Sequence, residues 1–140
     1  VGIFLIARRL ISQFGVWNLL FVSIALTGLR WYVMAAFADT FMVIVLSQLI
    51  HALSFGLTHA VSVHFIHQFL PKAYQSRGQA VYISIAFGLG GAFGNYLAGQ
   101  QWQQGTNAYE TFVTAAVFAA IGALSLLLCS RKEMESAKAA

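Results

Sequence analysis

TFMVIVLSQLIHALSFGLTHAVSVHFIHQFLP, residues 40–71, runs from end to end without an Asp, Glu, Lys or Arg. A bilayer core of roughly 30 Å is crossed by about 20 mostly apolar residues, each adding about 1.5 Å of helical rise. This stretch is longer than that, and two further charge-free stretches, residues 78–109 and 111–130, also reach the required length. A fourth span, residues 16–37, is apolar apart from Arg30. With 59% hydrophobic residues, 9% charged residues and a mean hydropathy of +0.75, a soluble 140-residue domain has nowhere to bury its apolar surface. The expected fold is therefore all-α, a multi-pass transmembrane bundle of about four full helices.

Residues 1–7 are apolar and end at Arg8 and Arg9, which reads as the end of a fifth helix. These basic residues follow the apolar run, the reverse of a signal peptide. The chain is expected to be the tail of a longer protein, with residues 1–130 as its membrane portion and residues 131–140 as a cytoplasmic polar tail. Alternation of the spans places Arg8, Arg9, Lys72, Arg77, Arg131, Lys132 and Lys138 on one side, leaving only Arg30 of the eight Lys and Arg within a span. The other side holds Asp39 and Glu110. This is the positive-inside pattern, so the C-terminus is expected in the cytoplasm. The bias accounts for the net charge of +4, and no nucleic-acid partner is expected, because the basic groove with polar or aromatic readers is missing. Trp102 and Tyr109 flank the outer loop of the last hairpin, at headgroup level.

Cys129 is the single cysteine and has no internal disulfide partner. In the span from residue 76 to 97, small residues recur at Ala80, Ser84, Gly88 and Ala92, and Gly90 with Gly94 makes a GxxxG. Such a face lets another helix approach closely. The run from Gly88 through Gly90 and Gly91 to Gly94 also reads as a place where the helix bends or slides. It is not a nucleotide-binding loop, since it lies within an apolar helix.

All four histidines lie in the span that follows Thr40. At about 100° per residue from His51, Thr58 falls at about −20°, Ser62 at about 20°, Phe55 at about 40°, Gln48 at about 60° and His59 at about 80°. They form one largely polar stripe, and polar groups at membrane depth face a bundle interior or a wet cavity. His64 and His67 fall on another face near Pro71 and read as interfacial. A bis-histidine haem needs facing helices, and zinc lacks a Cys or carboxylate to complete a site, so no cofactor or metal is expected. No nucleophile and base for an intramembrane enzyme is apparent. Arg30 lies roughly 10 Å inside its span and His51 roughly 16 Å down the next, so the two reach similar depths. Arg30 either snorkels to the outer surface or holds an anionic group.

Arg30-Trp31, Gln48-Leu-Ile-His51, Phe55-Gly56, Arg77-Gly-Gln-Ala80, Tyr82 and Phe87-Gly88-x-Gly90-Gly91-x-x-Gly94 resemble, in order and spacing, the C-terminal half of a major facilitator superfamily transporter. The resemblance is closest to the branch containing the 3-phenylpropionic acid transporter, related to lactose permease and to nucleoside:proton symporters. It implies a twelve-helix fold in two halves, of which this chain supplies the end of the eighth helix through the twelfth. It also implies that Arg30 and His51 bind substrate and couple its movement to a proton. The family's carboxylate one turn after that His is replaced by Ser54. Arg8 to Gly15 looks like a degenerate form of the family's basic cytoplasmic loop.

The expected function is proton-coupled symport of a small organic solute by alternating access, in a cell membrane, bacterial and inner. An aromatic carboxylate is the first choice of solute and a sugar or nucleoside the next. Arg30, His51, Gln48, Phe55, Thr58 and His59 are the expected binding and coupling residues, and Ala80, Ser84, Gly88, Gly90, Gly91 and Gly94 the packing or hinge residues. The expected partners are the solute, the proton, membrane lipid and an N-terminal half of the same transporter. A non-transporting membrane scaffold, its polar stripe only gluing helices, is the contrasting class.

Overall fold

The computed structural model describes residues 2–136. It contains seven α-helices among those residues, α1 (Gly2–Phe14), α2 (Val16–Phe37), α3 (Phe41–Phe69), α4 (Gln75–Ile83), α5 (Gly90–Trp102), α6 (Ala108–Ser125) and α7 (Arg131–Ser136), and no strand. A π-helical stretch, Ser84–Leu89, joins α4 to α5 within a single apolar unit, Lys72–Gly105. Four units, Val16–Phe37, Phe41–Phe69, Lys72–Gly105 and Ala108–Leu128, are long and apolar enough to cross a membrane. Helices satisfy their own backbone hydrogen bonds, the condition that hydrocarbon imposes on any spanning segment. The chain is a multi-pass membrane protein.

Local chemistry sets the ends of these elements. α1 runs through Arg8 and Arg9 to Phe14 instead of ending at residue 7, because Arg is a good helix former and a charge does not stop a helix. The stop is Gly15, whose φ of +79° is left-handed. Pro71 ends α3 by holding Leu70 extended at φ −99° and ψ 141°. The Gln75 amide then donates to the His67 carbonyl at 2.8 Å and the Leu70 carbonyl at 3.3 Å, covering the helix end. Between α5 and α6 the chain reverses through three consecutive left-handed residues, Gln103, Gln104 and Gly105.

α2 is the hub, packed by α3 and by α6. Its contact with α6 is close because Gly28 has no side chain: a Cβ there would lie 3.4 Å from the Ala119 Cβ and 3.5 Å from the Ala116 carbonyl oxygen. Its contact with α3 is apolar at one level and polar at another. Ile11 of α1, Leu19 and Leu20 of α2, and Leu57 and Val61 of α3 form the buried apolar cluster. Ser23 and Ser54 beside them are wholly buried, and the Thr58 hydroxyl donates to Ser23 Oγ at 2.8 Å across the two helices.

The segment after Ser130 docks on this hub. The Glu135 carboxylate accepts from the Val16 amide at 3.3 Å and the Trp17 amide at 3.1 Å, so an acid from the last helix caps the first turn of α2, where the helix dipole favours negative charge. The Trp17 indole donates to the Leu126 carbonyl at 3.1 Å, and Arg131 stands 5.4 Å from the Trp17 ring centroid. The unit Lys72–Gly105 is the opposite case. None of its most apolar window is buried.

Candidate functional site

Arg30 is brought into the bundle by the inner face of α2, where only 5% of its surface remains exposed. It does not snorkel. Its guanidinium carbon lies 3.9 Å from the Trp31 ring centroid, and Trp31 in turn stacks on Phe112 of α6 at 5.6 Å. The stack occupies the cation but leaves Nε without a hydrogen-bond partner among the described residues. The buried Nδ1 of His51 on α3 likewise has no partner among the described residues. Two unsatisfied polar nitrogens at membrane depth are expensive.

The polar stripe of α3 divides. Thr58 turns to the α2 seam, where it donates to Ser23 and shares its proton with the Ser54 carbonyl, also at 2.8 Å. It is a helix-pairing residue, and Ser54 is buried in the same seam. Gln48, one turn before His51 on the same helix, is exposed. Phe55 and His59 face the Lys72–Gly105 unit and continue from His51 as a ladder of rings, with centroids 5.5 Å apart for His51–Phe55 and 6.4 Å for Phe55–His59.

The ring that organises this ladder is Phe87, which the residue-by-residue reading left out of the site. Its centroid lies 5.6 Å from Phe55, 5.8 Å from His59 and 5.9 Å from Tyr82, edge to face in all three cases. Tyr82 stacks on His59 at 5.8 Å, and its hydroxyl stands 3.4 Å from His59 Nδ1, within hydrogen-bond reach. Phe87 belongs to the π-helical stretch, where an added residue in the turn re-aims side chains. The sequence signal was its place in the Tyr82 to Gly94 motif. Phe55 and Phe87 remain nearly half exposed, so the cluster presents ring surface for contact. His64 does not stand apart: it lines the same cavity as His59. His67 is exposed.

Ala80, Ser84 and Gly88 are exposed. Added Cβ atoms at Gly88, Gly91 and Gly94 would meet nothing within 4 Å, and one at Gly90 only the Ile85 carbonyl of its own helix. No described helix packs closely on that face. Gly90, Gly91 and Gly94 instead border a mostly apolar cavity of about 600 Å³ between α5 and α6, lined also by Trp31 and Phe112.

A bundle of membrane-length helices with a buried cation, an imidazole and a patch of aromatic surface is the arrangement of a polytopic membrane protein with an internal polar site. The profile of the MFS_1 like family matches residues 1–114, and the chain belongs to this family of the major facilitator superfamily. It is 28% identical over 131 residues to a protein named maltose permease from Geobacillus stearothermophilus, covering 91% of this chain and 32% of that permease. The chain thus spans about a third of the length of the curated relative it matches. No solved structure matches it significantly.

Proposed function

We propose that the chain is the C-terminal portion of a secondary transporter that moves a small organic solute by alternating access, coupled to a proton. The observation that carries this reading is the pair Arg30 and His51, a buried guanidinium and a partly buried imidazole within membrane-length helices, each with a buried nitrogen that has no hydrogen-bond partner among the described residues. An intramembrane ionisable residue marks a substrate or proton path by default. Arg30 holds the anionic group of the solute, and His51, whose unperturbed pKa of about 6.5 lies near physiological pH, carries the proton. Phe55 and Phe87 offer faces to an aromatic ring. A small aromatic carboxylate of the 3-phenylpropionate type joins these features in one molecule.

The maltose permease relative favours a second reading, a sugar. The same rings pack on the apolar face of a pyranose, and the exposed Gln48 amide offers it hydrogen bonds. In either case an N-terminal half of the same transporter supplies the facing wall, covering the open face at Gly88, Gly91 and Gly94, and the two halves rock about the midplane site. Residues 84–94, π-helical and then glycine-rich, give the helix a place to bend. The charge bias supports a C-terminus in the cytoplasm, and a bacterial inner membrane belongs to the same proposal.

The test is uptake into vesicles containing the full-length gene product under an imposed pH gradient. Saturable accumulation of 3-phenylpropionate above protein-free vesicles, abolished by a protonophore, is the expected result. Accumulation of maltose alone selects the sugar reading, and uptake of neither reduces the polar stripe to a helix-packing device.

A further inference from the structure

We propose that the cavity walled by α1, α3 and α4 is a second binding site, distinct from the Arg30–His51 pair, that takes the carboxylate of a small organic anion. The cavity measures about 510 Å³ and is lined by Arg8, Ile11, His59, Val63, His64 and Gln79 together with small residues. That volume is typical of a small-molecule site. Its polar groups are the guanidinium of Arg8, two imidazoles and one carboxamide, so its one fixed charge is positive. No Asp or Glu is among the residues lining it.

The distribution of acids makes this charge balance a property of the site. Of the four acids, Asp39 follows the far end of α2 and Glu110 lies in the first turn of α6, both at the other end of the bundle from Arg8, while Glu133 and Glu135 lie in α7, outside the cavity lining, with Glu135 committed to the first turn of α2. A cleft lined by one sign of charge with low-dielectric walls concentrates ions of the other sign. A metal is the wrong occupant, since no group of three metal-ligating side chains exists among the described residues. Three elements are needed to build the cavity, so it is not legible on one helix: His59 and His64 are separated by about 140° on α3, and both line it together with residues of α1 and α4.

His59 belongs both to this cavity and to the ring cluster with Tyr82 and Phe87. The cavity therefore begins where the aromatic ladder ends, at the Arg8 end of the bundle. A carboxylate leaving the ladder meets Arg8 and His64 next. This gives the cavity the place of a waypoint between the internal site and the water on that side. The binding site itself rests on the cavity; only the solute's route rests on the transport reading.

The experiment uses the full-length protein in a Cys129→Ser background, with a reporter inside the cavity, Ala60→Cys, and one on the exposed surface of α4, Ser76→Cys. Each is reacted with an anionic sulfonatoethyl and a cationic trimethylammonioethyl methanethiosulfonate. The anionic-to-cationic rate ratio is expected to be about tenfold higher at position 60 than at position 76, and Arg8→Gln with His64→Gln should bring the two together. Benzoate should protect position 60, and its neutral analogue benzamide should not. Equal ratios at the two positions, no labelling at position 60, or equal protection by benzamide overturns the anion site. Protection by inorganic phosphate and not by benzoate overturns the organic carboxylate. None of these readings requires transport, so they are separable from failure of the uptake test.

Discussion

The guanidinium carbon of Arg30 lies 3.9 Å from the centroid of the Trp31 ring, and this contact holds a positive charge inside the bundle without an acidic partner among the described residues. A cation over an indole face is stabilised by the ring quadrupole, by about 2 kcal/mol or more when desolvated. The stack leaves the edge of the guanidinium for another ligand. In the proposed transporter that ligand is the solute's anionic group.

Arg30→Ala in the full-length protein should raise the KM for an anionic solute by about 10- to 150-fold, the equivalent of a charge-assisted contact of about 1.5 to 3 kcal/mol. Arg30→Lys should recover only part of this, since an ammonium lacks the planar fork. His51→Ala should change the pH profile of uptake at normal expression, with His67→Ala, which is exposed, as the control. An unchanged KM in Arg30→Ala and an unchanged profile in His51→Ala together remove the pair from the site.

Phe87 touches three rings, and each aromatic pair contributes about 0.5 to 1.5 kcal/mol beyond simple burial. Loss of one such ring contact in Phe87→Ala should weaken a ring-bearing solute by about 2- to 13-fold, with Phe87→Tyr close to wild type. Competition of labelled solute by a series of ring and chain carboxylates measures the effect. Equal losses for ring and chain compounds would show that Phe87 supports the helix and does not contact the solute.

Gly28 and Gly99 make a matched pair for packing. A Cβ at Gly28 comes within 3.4 Å of Ala119, whereas one at Gly99 meets nothing within 4 Å. Gly28→Val should cost about 1 to 3 kcal/mol by forcing α2 and α6 apart, and Gly99→Ala should be neutral. Thermal unfolding of the full-length protein in detergent compares them.

Glu135→Ala should uncap α2 at a cost of about 0.5 to 2 kcal/mol, with Glu135→Gln retaining part of the cap as a neutral acceptor. The local readout is hydrogen exchange at the Val16 and Trp17 amides. Faster exchange there, with exchange in α6 unchanged, is the expected pattern; unchanged exchange at both amides means that water already serves the helix end.

Single cysteines at Ser76 and Thr106, both exposed, test the topology in a Cys129→Ser background. An impermeant reagent should label position 106 from outside and position 76 only after permeabilisation. Labelling of both from one side contradicts the span Lys72–Gly105 as a single crossing.

The membrane class and the four spans were legible along the chain, because the length of an uncharged run against bilayer thickness is a one-dimensional quantity. The stop at Pro71 was equally local. Three features needed the third dimension. Thr58 shares a helical face with His51 but turns to Ser23, since its hydroxyl has a partner only where α2 lies against α3. Phe87 reaches the ladder because the Ser84–Leu89 stretch is π-helical, a change of register that no residue spacing counted at 100° contains. His64 joins His59 around a cavity whose other walls are α1 and α4. A single helix determines which side chains share a face, whereas what that face meets is set by its neighbours, and for these three residues the neighbours alone decided the role.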